Sequence, residues 1–298
     1  WLTLAADKNR LGLAQETAAN SQKTMEITKK RLELGVDSRI DLASAETVYY
    51  NARSNIASYT TQVAQDLNAL QLLVGEQFDD NLLPEALPES ESLVNDVPAG
   101  LSSEVLLQRP DVLAAEHNLK SANANIGVAR AAFFPTLSLT ATEGLASSVL
   151  SDIFSGGASS IWTIAPSLTL PIFDGGANDA NLAYSQAQQR KYLAAYEYAI
   201  QSAFSEVANA LARRATIQQQ LHAQEALVTA ASRSYELSLA RYKGGVDSFQ
   251  NALQAQRTMY SARQSLITTR LTDLDNRISL YRVLGGGLAE SKLLQSEG

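Results

Sequence analysis

The feature that most constrains this chain is an internal repeat, because two copies of one segment are expected to fold alike. Gly35-Val36-Asp37-Ser38 recurs as Gly245-Val246-Asp247-Ser248, so position 35 maps onto position 245 at an offset of 210. Kept without a gap, the offset also matches Arg31 with Arg241, Ala45 with Ala255, Tyr50 with Tyr260, Leu70 with Leu280, and Gly75 with Gly285. Because 210 is a multiple of seven, the two copies share one heptad phase.

Apolar residues at seven-residue spacing predict long helices in both copies. The longest series, in the second copy, is Leu193, Ile200, Val207, Leu221, Val228, Tyr235 and Tyr242, with Arg214 as its polar exception. The others are Leu4, Leu11, Ala18, Met25 and Leu32; Leu42, Tyr49, Ile56, Val63 and Leu70; and Leu253, Tyr260, Ile267, Leu274 and Tyr281. A straight helix drifts by about 20° per heptad, so series this regular indicate left-handed supercoiling.

Each copy is therefore predicted to be an antiparallel coiled-coil hairpin with a Gly-Val-Asp-Ser turn between its helices. Gly35 and Gly245 suit the left-handed conformation that ends a helix, and Asp37 or Ser38 can cap the helix that follows. The proline-free segment 176–243 would extend on the order of 100 Å as one helix. The heptads alone leave an ordinary coiled-coil scaffold open.

After Phe133-Phe134-Pro135 the periodicity changes to two, which is typical of strands. Leu137, Leu139 and Ala141 alternate with Thr and Ser, and so do Trp162, Ile164, Leu168, Leu170 and Ile172. Each segment has about ten residues, the length that a tilted strand needs to cross a bilayer. The Ser- and Gly-rich segment 144–160 between them is predicted to be a loop.

Aromatic residues stand at both ends of the predicted hairpin. Phe133, Phe134 and Phe173 are expected at one membrane interface and Trp162 near the other, as in aromatic girdles. A soluble, half-buried hairpin shows the same alternation and remains open. Because lipid tolerates no open strand edge, a membrane hairpin requires oligomerisation.

Composition and charge exclude several classes of function. The net charge of -7 and the lack of a Lys/Arg cluster argue against a nucleic-acid partner. The absence of cysteine excludes disulfides and thiolate metal sites. His117 and His222 have no ligand-spaced partners, so no metal, cofactor or enzymatic activity is predicted. Arg263, Arg270 and Arg277, with Asp273 nearby, are predicted to form a solvated, ion-paired face.

The repeat and the strands suggest how the chain is divided. The fold class is mainly α with a transmembrane β-hairpin. No apolar run is long enough for a transmembrane helix, and Trp1 suggests a mature piece of a longer precursor. The predicted segments are a first helical hairpin (1–76), a connector (77–101), a helix (102–134), the β-hairpin (135–173), a second helical hairpin (174–286) and a tail (287–298).

Several motifs, in this order along the chain, resemble the TolC-like outer-membrane efflux channel family, and its OprM-type, drug-pump branch in particular. They are Arg109-Pro110-Asp111, Ala132-Phe133-Phe134-Pro135-Thr136-Leu137, Leu170-Pro171-Ile172-Phe173-Asp174-Gly175-Gly176, Arg241-Tyr242 with Gly245, and Leu284-Gly285-Gly286-Gly287.

The resemblance implies a homotrimer whose twelve-stranded β-barrel crosses the outer membrane and continues as a periplasmic α-barrel. It also implies a periplasmic adaptor and an inner-membrane pump, of the RND type, as partners in exporting drugs, and in many relatives an N-terminal lipid. A complete subunit of the family has two further strands.

The resemblance further implies a periplasmic gate at the helical turns. The family's gate tyrosine falls on Tyr242 and its partner aspartate on Asp41. The family's acidic constriction positions fall on Asn251 and Gln254, so an acidic ring would have to come from Asp247. Helix capping is an equally good interpretation of Asp37 and Asp247, and core packing can explain Tyr242.

Two alternatives to an efflux duct remain at this stage. A periplasmic adaptor also combines helical hairpins with β-structure, although it needs many more strands. A soluble coiled-coil scaffold with an incidental strand hairpin is the other alternative.

Overall fold

The computed structural model describes residues 1–75, 79, 82–88, 104–148, 150–156 and 159–286. Its elements, in chain order, are α1 (Leu2–Glu33), α2 (Arg39–Val74), α3 (Glu104–Leu107), α4 (Pro110–Ala131), β1 (Thr136–Ala146), α5 (Leu150–Ser155), β2 (Ser159–Thr169), α6 (Ala177–Lys243) and α7 (Phe249–Val283). The predicted tail 287–298 lies outside the described residues, as does most of the predicted connector 77–101.

The chain divides into two compact units. The first comprises Trp1–Leu101 and Glu206–Gly298, and the second comprises Ser102–Ser205. In the first unit, α1 and α2 pack along each other as one hairpin, and α7 packs against both. Hydrogen bonds from α6 to α7, such as Gln218 Nε2 to Asp273 Oδ1 at 3.0 Å, join the helices of the second hairpin.

Burial in the helices repeats every seven residues, but the most buried series differ from the predicted ones. They are Asp7, Ala14, Ser21 and Thr28 in α1; Ala203, Ala210, Ile217 and Ala231 in α6; and Ala255, Ala262, Thr269, Asn276 and Val283 in α7. Most of these side chains are small, and small side chains at a contact let helix axes approach closely. Many of the larger residues of the predicted series are only half-buried.

One layer between α6 and α7 is ionic. Asp273 is 1% exposed and accepts hydrogen bonds from Arg214 Nη1 at 3.3 Å, Gln218 Nε2 at 3.0 Å and Arg277 Nε at 3.3 Å. The polar exception in the long heptad series, Arg214, thus has a buried carboxylate opposite it. The prediction that Asp273 lies on a solvated face is wrong, because its partners come from both helices.

The other two arginines of that line pair elsewhere. Arg270 Nη2 lies 3.1 Å from Glu225 Oε1 of α6, and Arg263 Nη1 lies 3.0 Å from Glu16 Oε1 of α1. The line is therefore ion-paired, as predicted, but each arginine has its own partner.

The second unit begins with a broken helix rather than the continuous one predicted from residue 102. Arg109 is extended (φ −61°, ψ 138°) and Pro110 opens α4. Proline disfavours helical geometry at the residue before it and suits the first helical position. The helix ends at Ala131, before the Phe133-Phe134-Pro135 segment.

The two strands form one antiparallel hairpin. Their register places Leu137 opposite Leu168, Ser138 opposite Ser167 and Ala141 opposite Ile164. Each strand has 11 residues, and β2 ends at Thr169 because Pro171, soon after it, has no N–H to donate to a ladder. The prediction of a loop over 144–160 is wrong at both ends: β1 continues to Ala146, β2 starts at Ser159, and α5 lies between them.

Among the described residues, no helix combines the length and the apolar character needed to cross a membrane.

Candidate functional site

The two Gly-Val-Asp-Ser turns share one backbone geometry. Gly35 and Gly245 have φ of +74° and +73°. In each turn the next N–H donates back to an arginine carbonyl: Val36 to Arg31 at 2.8 Å, and Val246 to Arg241 at 3.0 Å. This pattern satisfies the last carbonyls of a helix when a glycine adopts the left-handed conformation. Both predicted helix ends are thereby confirmed.

An arginine and an aspartate close each turn. Arg31 Nε donates to both carboxylate oxygens of Asp37, at 3.1 and 3.0 Å, and Arg241 Nε donates to Asp247 Oδ2 at 3.2 Å. We call each pair, Arg31–Asp37 and Arg241–Asp247, a turn clamp. The Asp37 side chain is 6% exposed and the Asp247 side chain 23%. The same clamp is therefore covered in the first copy and partly open in the second.

Tyr242, at the end of α6, covers the first turn clamp. Its hydroxyl donates to Asp37 Oδ2 and lies 3.2 Å from Thr28 Oγ1. The Arg31 guanidinium lies 4.7 Å from the centre of the Tyr242 ring. Tyr242 is 2% exposed and Thr28 is fully buried. A residue of the second hairpin thus bonds to α1 and the turn of the first.

Apolar packing holds the Tyr242 ring in place. The Phe249 ring lies 5.1 Å away at 54°, and Ala45, Ala252 and Leu253 complete the buried cluster. Burial, and then the hydrogen bond to Asp37, raise the pKa of the Tyr242 phenol above its ordinary value. The phenol therefore stays protonated at neutral pH and can donate to the carboxylate.

The predicted pairing of Tyr242 with Asp41 is wrong in this structure. Asp41 stands at the third position of α2, where its carboxylate accepts from the Ser38 N–H at 3.0 Å and its own N–H donates to Ser38 Oγ at 3.1 Å. This reciprocal arrangement caps the helix and satisfies two free N–H groups. Asp37, one turn earlier, is the carboxylate that faces Tyr242.

Asp247 and Asn251 lie together at the second turn, and Gln254 does not join them. Asp247 Oδ1 accepts from Asn251 Nδ2 at 2.6 Å and from the Ser248 N–H at 2.8 Å. These bonds, the one from Asn251 first, lower the pKa of the Asp247 carboxyl. Gln254 is exposed one turn further along α7. The Asp247 carboxylate thus bonds the N–H of Ser248, the residue before α7, and not an N–H in the first turn of that helix, so the capping interpretation of Asp247 is not confirmed.

Sequence reasoning missed Arg31, Thr28 and Phe249 as parts of this cluster. The recurrence of Arg31 as Arg241, six residues before an aspartate in both copies, was a usable signal. No sequence pattern points to Thr28 or Phe249, because both meet Tyr242 only through packing of α1 and α7.

The strand hairpin presents one aliphatic face and one hydroxyl face. The register aligns Leu137, Leu139 and Ala141 with Leu168, Pro166 and Ile164 on the first. On the other face the hydroxyls of Ser138 and Ser167 lie 2.7 Å apart. Glu143 stands opposite Trp162 on the aliphatic face. Every residue of both strands is exposed.

The four aromatic residues lie at opposite ends of the hairpin. Phe133 and Phe134 precede β1 and Phe173 follows β2, at the open end, whereas Trp162 lies toward the end that bears α5. All four side chains are exposed: Phe133 by 40%, Phe134 by 66%, Phe173 by 91% and Trp162 by 72%. The structure thus places them as the sequence pattern suggested, and their membrane contact remains a prediction.

The described part of the chain contains no group of three or more His, Cys, Asp or Glu side chains placed to hold a metal ion. His222 is exposed, and its Nδ1 lies 3.9 Å from Glu225 Oε2.

These observations define a class of protein: a duplicated helical hairpin with one exposed strand hairpin ahead of its longest helix. The chain belongs to the outer membrane efflux protein family, whose model matches residues 1–76 and 101–286.

Individual relatives are similar over nearly the whole chain. It is 42% identical over 290 residues to the probable efflux pump outer membrane protein TtgC of Pseudomonas putida, covering 97% of this chain and 60% of that protein. It is 41% identical over 280 residues to the cation efflux system protein CusC of Escherichia coli, covering 93% and 60%. The chain thus spans 60% of the length of these relatives.

Among solved structures, the open-state outer membrane channel MtrE of Neisseria gonorrhoeae is similar with a TM-score of 0.72 and 40% identity. The match covers 96% of this chain and 66% of that channel.

Proposed function

We propose that this chain forms part of an outer-membrane exit duct of a Gram-negative bacterium, through which a tripartite pump exports drugs or similar compounds. Family membership and the efflux proteins among its relatives support the class of function. The observation that carries the proposal is the strand hairpin, whose aliphatic face is exposed along its length.

Lipid is the environment that suits this face. Leu137, Leu139 and Leu168 are 76%, 69% and 69% exposed, and exposed contiguous apolar surface marks contact with a membrane or another protein. An 11-residue strand extends about 36 Å, enough for a tilted strand to cross the hydrocarbon core. The aromatic residues at its two ends would lie at the interfaces.

The hairpin requires neighbours, because its two outer edges carry unpaired N–H and C=O groups that lipid cannot satisfy. A homotrimer supplies them if each whole subunit contributes four strands to a twelve-stranded barrel. The helical hairpins then form the periplasmic wall, and export is passive, with the energy coming from an inner-membrane pump of the RND type.

The Tyr242–Asp37 bond is proposed as the latch of the periplasmic gate. It joins two hairpins through one charge-assisted hydrogen bond, a class of bond that contributes about 1.5–3 kcal/mol. A free energy of this size is enough to favour a closed arrangement of the hairpins. It is also small enough that a partner that binds the open arrangement can shift the equilibrium toward it.

The membrane proposal is tested with single cysteines introduced into this chain, which has none of its own, within the whole protein after any accessible native cysteine elsewhere in it is replaced by serine. Leu139→Cys on the aliphatic face and Thr140→Cys, its neighbour on the hydroxyl face, each carry an environment-sensitive fluorophore in reconstituted bilayers. We expect brominated lipids to quench the label at position 139 several-fold more strongly than at position 140, because successive strand residues face opposite sides.

Equal and weak quenching at both positions would show that the hairpin does not face lipid. The chain would then be a soluble periplasmic scaffold or adaptor. Leu168→Cys provides an independent position on the same face, opposite Leu137.

A further inference from the structure

An open cavity of about 340 Å³ lies between the two helical hairpins, with walls from α1, α2 and α7. We propose that it binds a small aromatic carboxylate, which Arg257 holds through its guanidinium and which Gln256 and Asn51 orient by hydrogen bonds. The volume is in the range of sites that hold small molecules. The inference does not depend on the proposed function, because all of these residues belong to the first compact unit.

Hydrogen bonds between α2 and α7 frame the cavity. Asn55 Nδ2 donates to the Tyr260 hydroxyl at 3.2 Å, and Gln264 Nε2 donates to the same hydroxyl at 3.0 Å. Toward the turns, Gln250 Nε2 donates to Ser44 Oγ at 3.1 Å. The walls are thus held in place before anything binds, which reduces the entropy lost on binding.

Several polar groups of the wall have unused bonding capacity. Gln256 is 5% exposed, yet its side-chain amide makes no hydrogen bond with the residues that the structure describes. The same holds for the exposed Arg257 guanidinium and the exposed Asn51 amide. An amide that is buried without a partner costs free energy. A molecule that bonds to Gln256 would remove that cost.

The charge of the wall favours an anion, and its geometry favours a carboxylate. Of the eight described residues that line the cavity, none is acidic and Arg257 is the one cation. All eight lie inside helices, so their N–H groups are used in helical bonds and cannot cradle a phosphate. One guanidinium presents two parallel donors, which match the two oxygens of a single carboxylate.

The rest of the wall suits an aromatic body. Val48, Ala52 and the Tyr260 ring line the cavity together, and Ala52 is buried. An aromatic ring packed against tyrosine gains from ring contact in addition to the apolar area that it buries.

The internal repeat contains a matched groove without this closure. It lies between α6 and α7, and at the offset of 210 it is lined by the equivalents of five residues of the cavity, Leu227, Thr258, Ser261, Ala262 and Ser265. Arg257 also reaches this groove, but Gln256 and Tyr260 do not line it. The buried amide therefore places the site in the first groove.

Isothermal titration calorimetry with 2-naphthoate, on the whole protein in lipid nanodiscs, tests the site. Uncharged 2-naphthamide is the matched probe, and we expect it to bind about tenfold more weakly, because hydrogen bonds between charged groups are stronger. Arg257→Gln should weaken 2-naphthoate binding by about tenfold or more. Arg213→Gln removes the same charge from an exposed position on α6 and should leave binding unchanged.

A pair of equivalent substitutions distinguishes the two grooves. Asn51 and Ser261 are both exposed, so a larger side chain at either position should leave the fold intact. Asn51→Phe fills the proposed site and should abolish binding of 2-naphthoate, whereas Ser261→Phe fills the matched groove and should have no effect. Gln256→Met keeps the volume but removes the amide, and it should weaken binding several-fold.

Three results would overturn the proposed site: no saturable binding of 2-naphthoate at millimolar concentrations, equal affinity for the two probes, or binding that Ser261→Phe abolishes and Asn51→Phe preserves. Calorimetry does not require conduction. A protein that binds 2-naphthoate in this way but forms no channel in bilayers would therefore lose the proposed function and keep the site, and a conducting protein that does not bind it would do the reverse.

Discussion

Tyr242 is one side chain that joins the two hairpins. Its ring is fixed by Phe249 and Arg31, so little conformational entropy is lost when its hydroxyl bonds to Asp37. The carboxylate is in turn held by both bonds from Arg31 Nε. Loss of the Tyr242–Asp37 bond therefore removes one link between the hairpins without disturbing the fold of either, while other links such as Arg263–Glu16 remain.

A second residue-scale feature concerns positions 66 and 276, which are equivalent in the two copies. Asp66 Oδ2 and Asn276 Oδ1 are buried without a hydrogen-bond partner in the described structure. Burial first, and then the neighbouring Asp7 carboxylate, raise the pKa of the Asp66 carboxyl above 3.8. Asn276, by contrast, donates its amide to the Ala210 carbonyl at 3.0 Å.

We expect Asp66→Asn to stabilise the protein at neutral pH, by about 1 kcal/mol, because it removes a disfavoured buried charge. An acid with a raised folded pKa contributes full stability below pH 3.8 and loses it as the pH rises through the folded value. Denaturant unfolding at pH 4 and pH 8 measures both effects. The variant should lose less stability between these pH values than the wild type does; parallel pH profiles would contradict this assignment.

The sequence alone indicated the region around Tyr242 but assigned it the wrong carboxylate. Asp37 and Asp41 lie four residues apart at the same turn, and either can cap a helix. Which one meets Tyr242 depends on the approach of a side chain 205 residues further along the chain. Local patterns contain no information about that approach, whereas the cap is local: Ser38, one of the two residues predicted as possible caps, is the one that caps α2.

At the scale of elements, periodicity predicted the helices, the turns and the two strands. It failed where a single residue interrupts a helix or where a tertiary contact determines which side chains are buried. Pro110 divides the helix predicted from residue 102, and the most buried helix series hold mainly small side chains that a search for large apolar residues passes over. The ionic layer at Asp273 was also hidden, because its partners lie 55 and 59 residues away in α6.

The positions of the ionic layer hold apolar residues in the first copy, and this difference suggests an experiment. At the offset of 210, Arg214, Asp273 and Arg277 correspond to Leu4, Val63 and Leu67 of the first copy. Asp273→Ala should lower the free energy of unfolding by about 3 kcal/mol, because it takes the buried carboxylate away from two half-buried guanidinium groups. Replacing all three residues by their first-copy counterparts should restore stability to the wild-type value or above.

Chemical denaturation followed by helical circular dichroism measures this series. A triple variant less stable than Asp273→Ala would contradict this expectation. It would mean that the attraction between the three charged side chains exceeds the free energy needed to remove them from water.

At the scale of the whole molecule, the latch has a measurable consequence for the proposed channel. Tyr242→Phe removes one hydroxyl and keeps the packing against Phe249, so single-channel conductance in planar bilayers should rise several-fold. Asp37→Asn should act in the same direction, since it weakens the same bond from its other end.

Asp41→Ala is the control for this prediction. It removes the helix cap, which contributes about 1 kcal/mol to stability, and should leave conductance unchanged. Equal conductance of Tyr242→Phe and the wild type would remove Tyr242 from the gate, and a rise in Asp41→Ala would return that residue to it.

The constant heptad phase of the two copies also limits how such a protein can change in length. One inserted residue turns all following side chains of a helix by about 100°, so the seam of small residues would move away from its partner. Only whole heptads, added to both arms of a hairpin together, preserve the seam. Adding one in this way lengthens the hairpin by about 10 Å. The distance that the helical hairpins span can therefore change only in steps of one heptad.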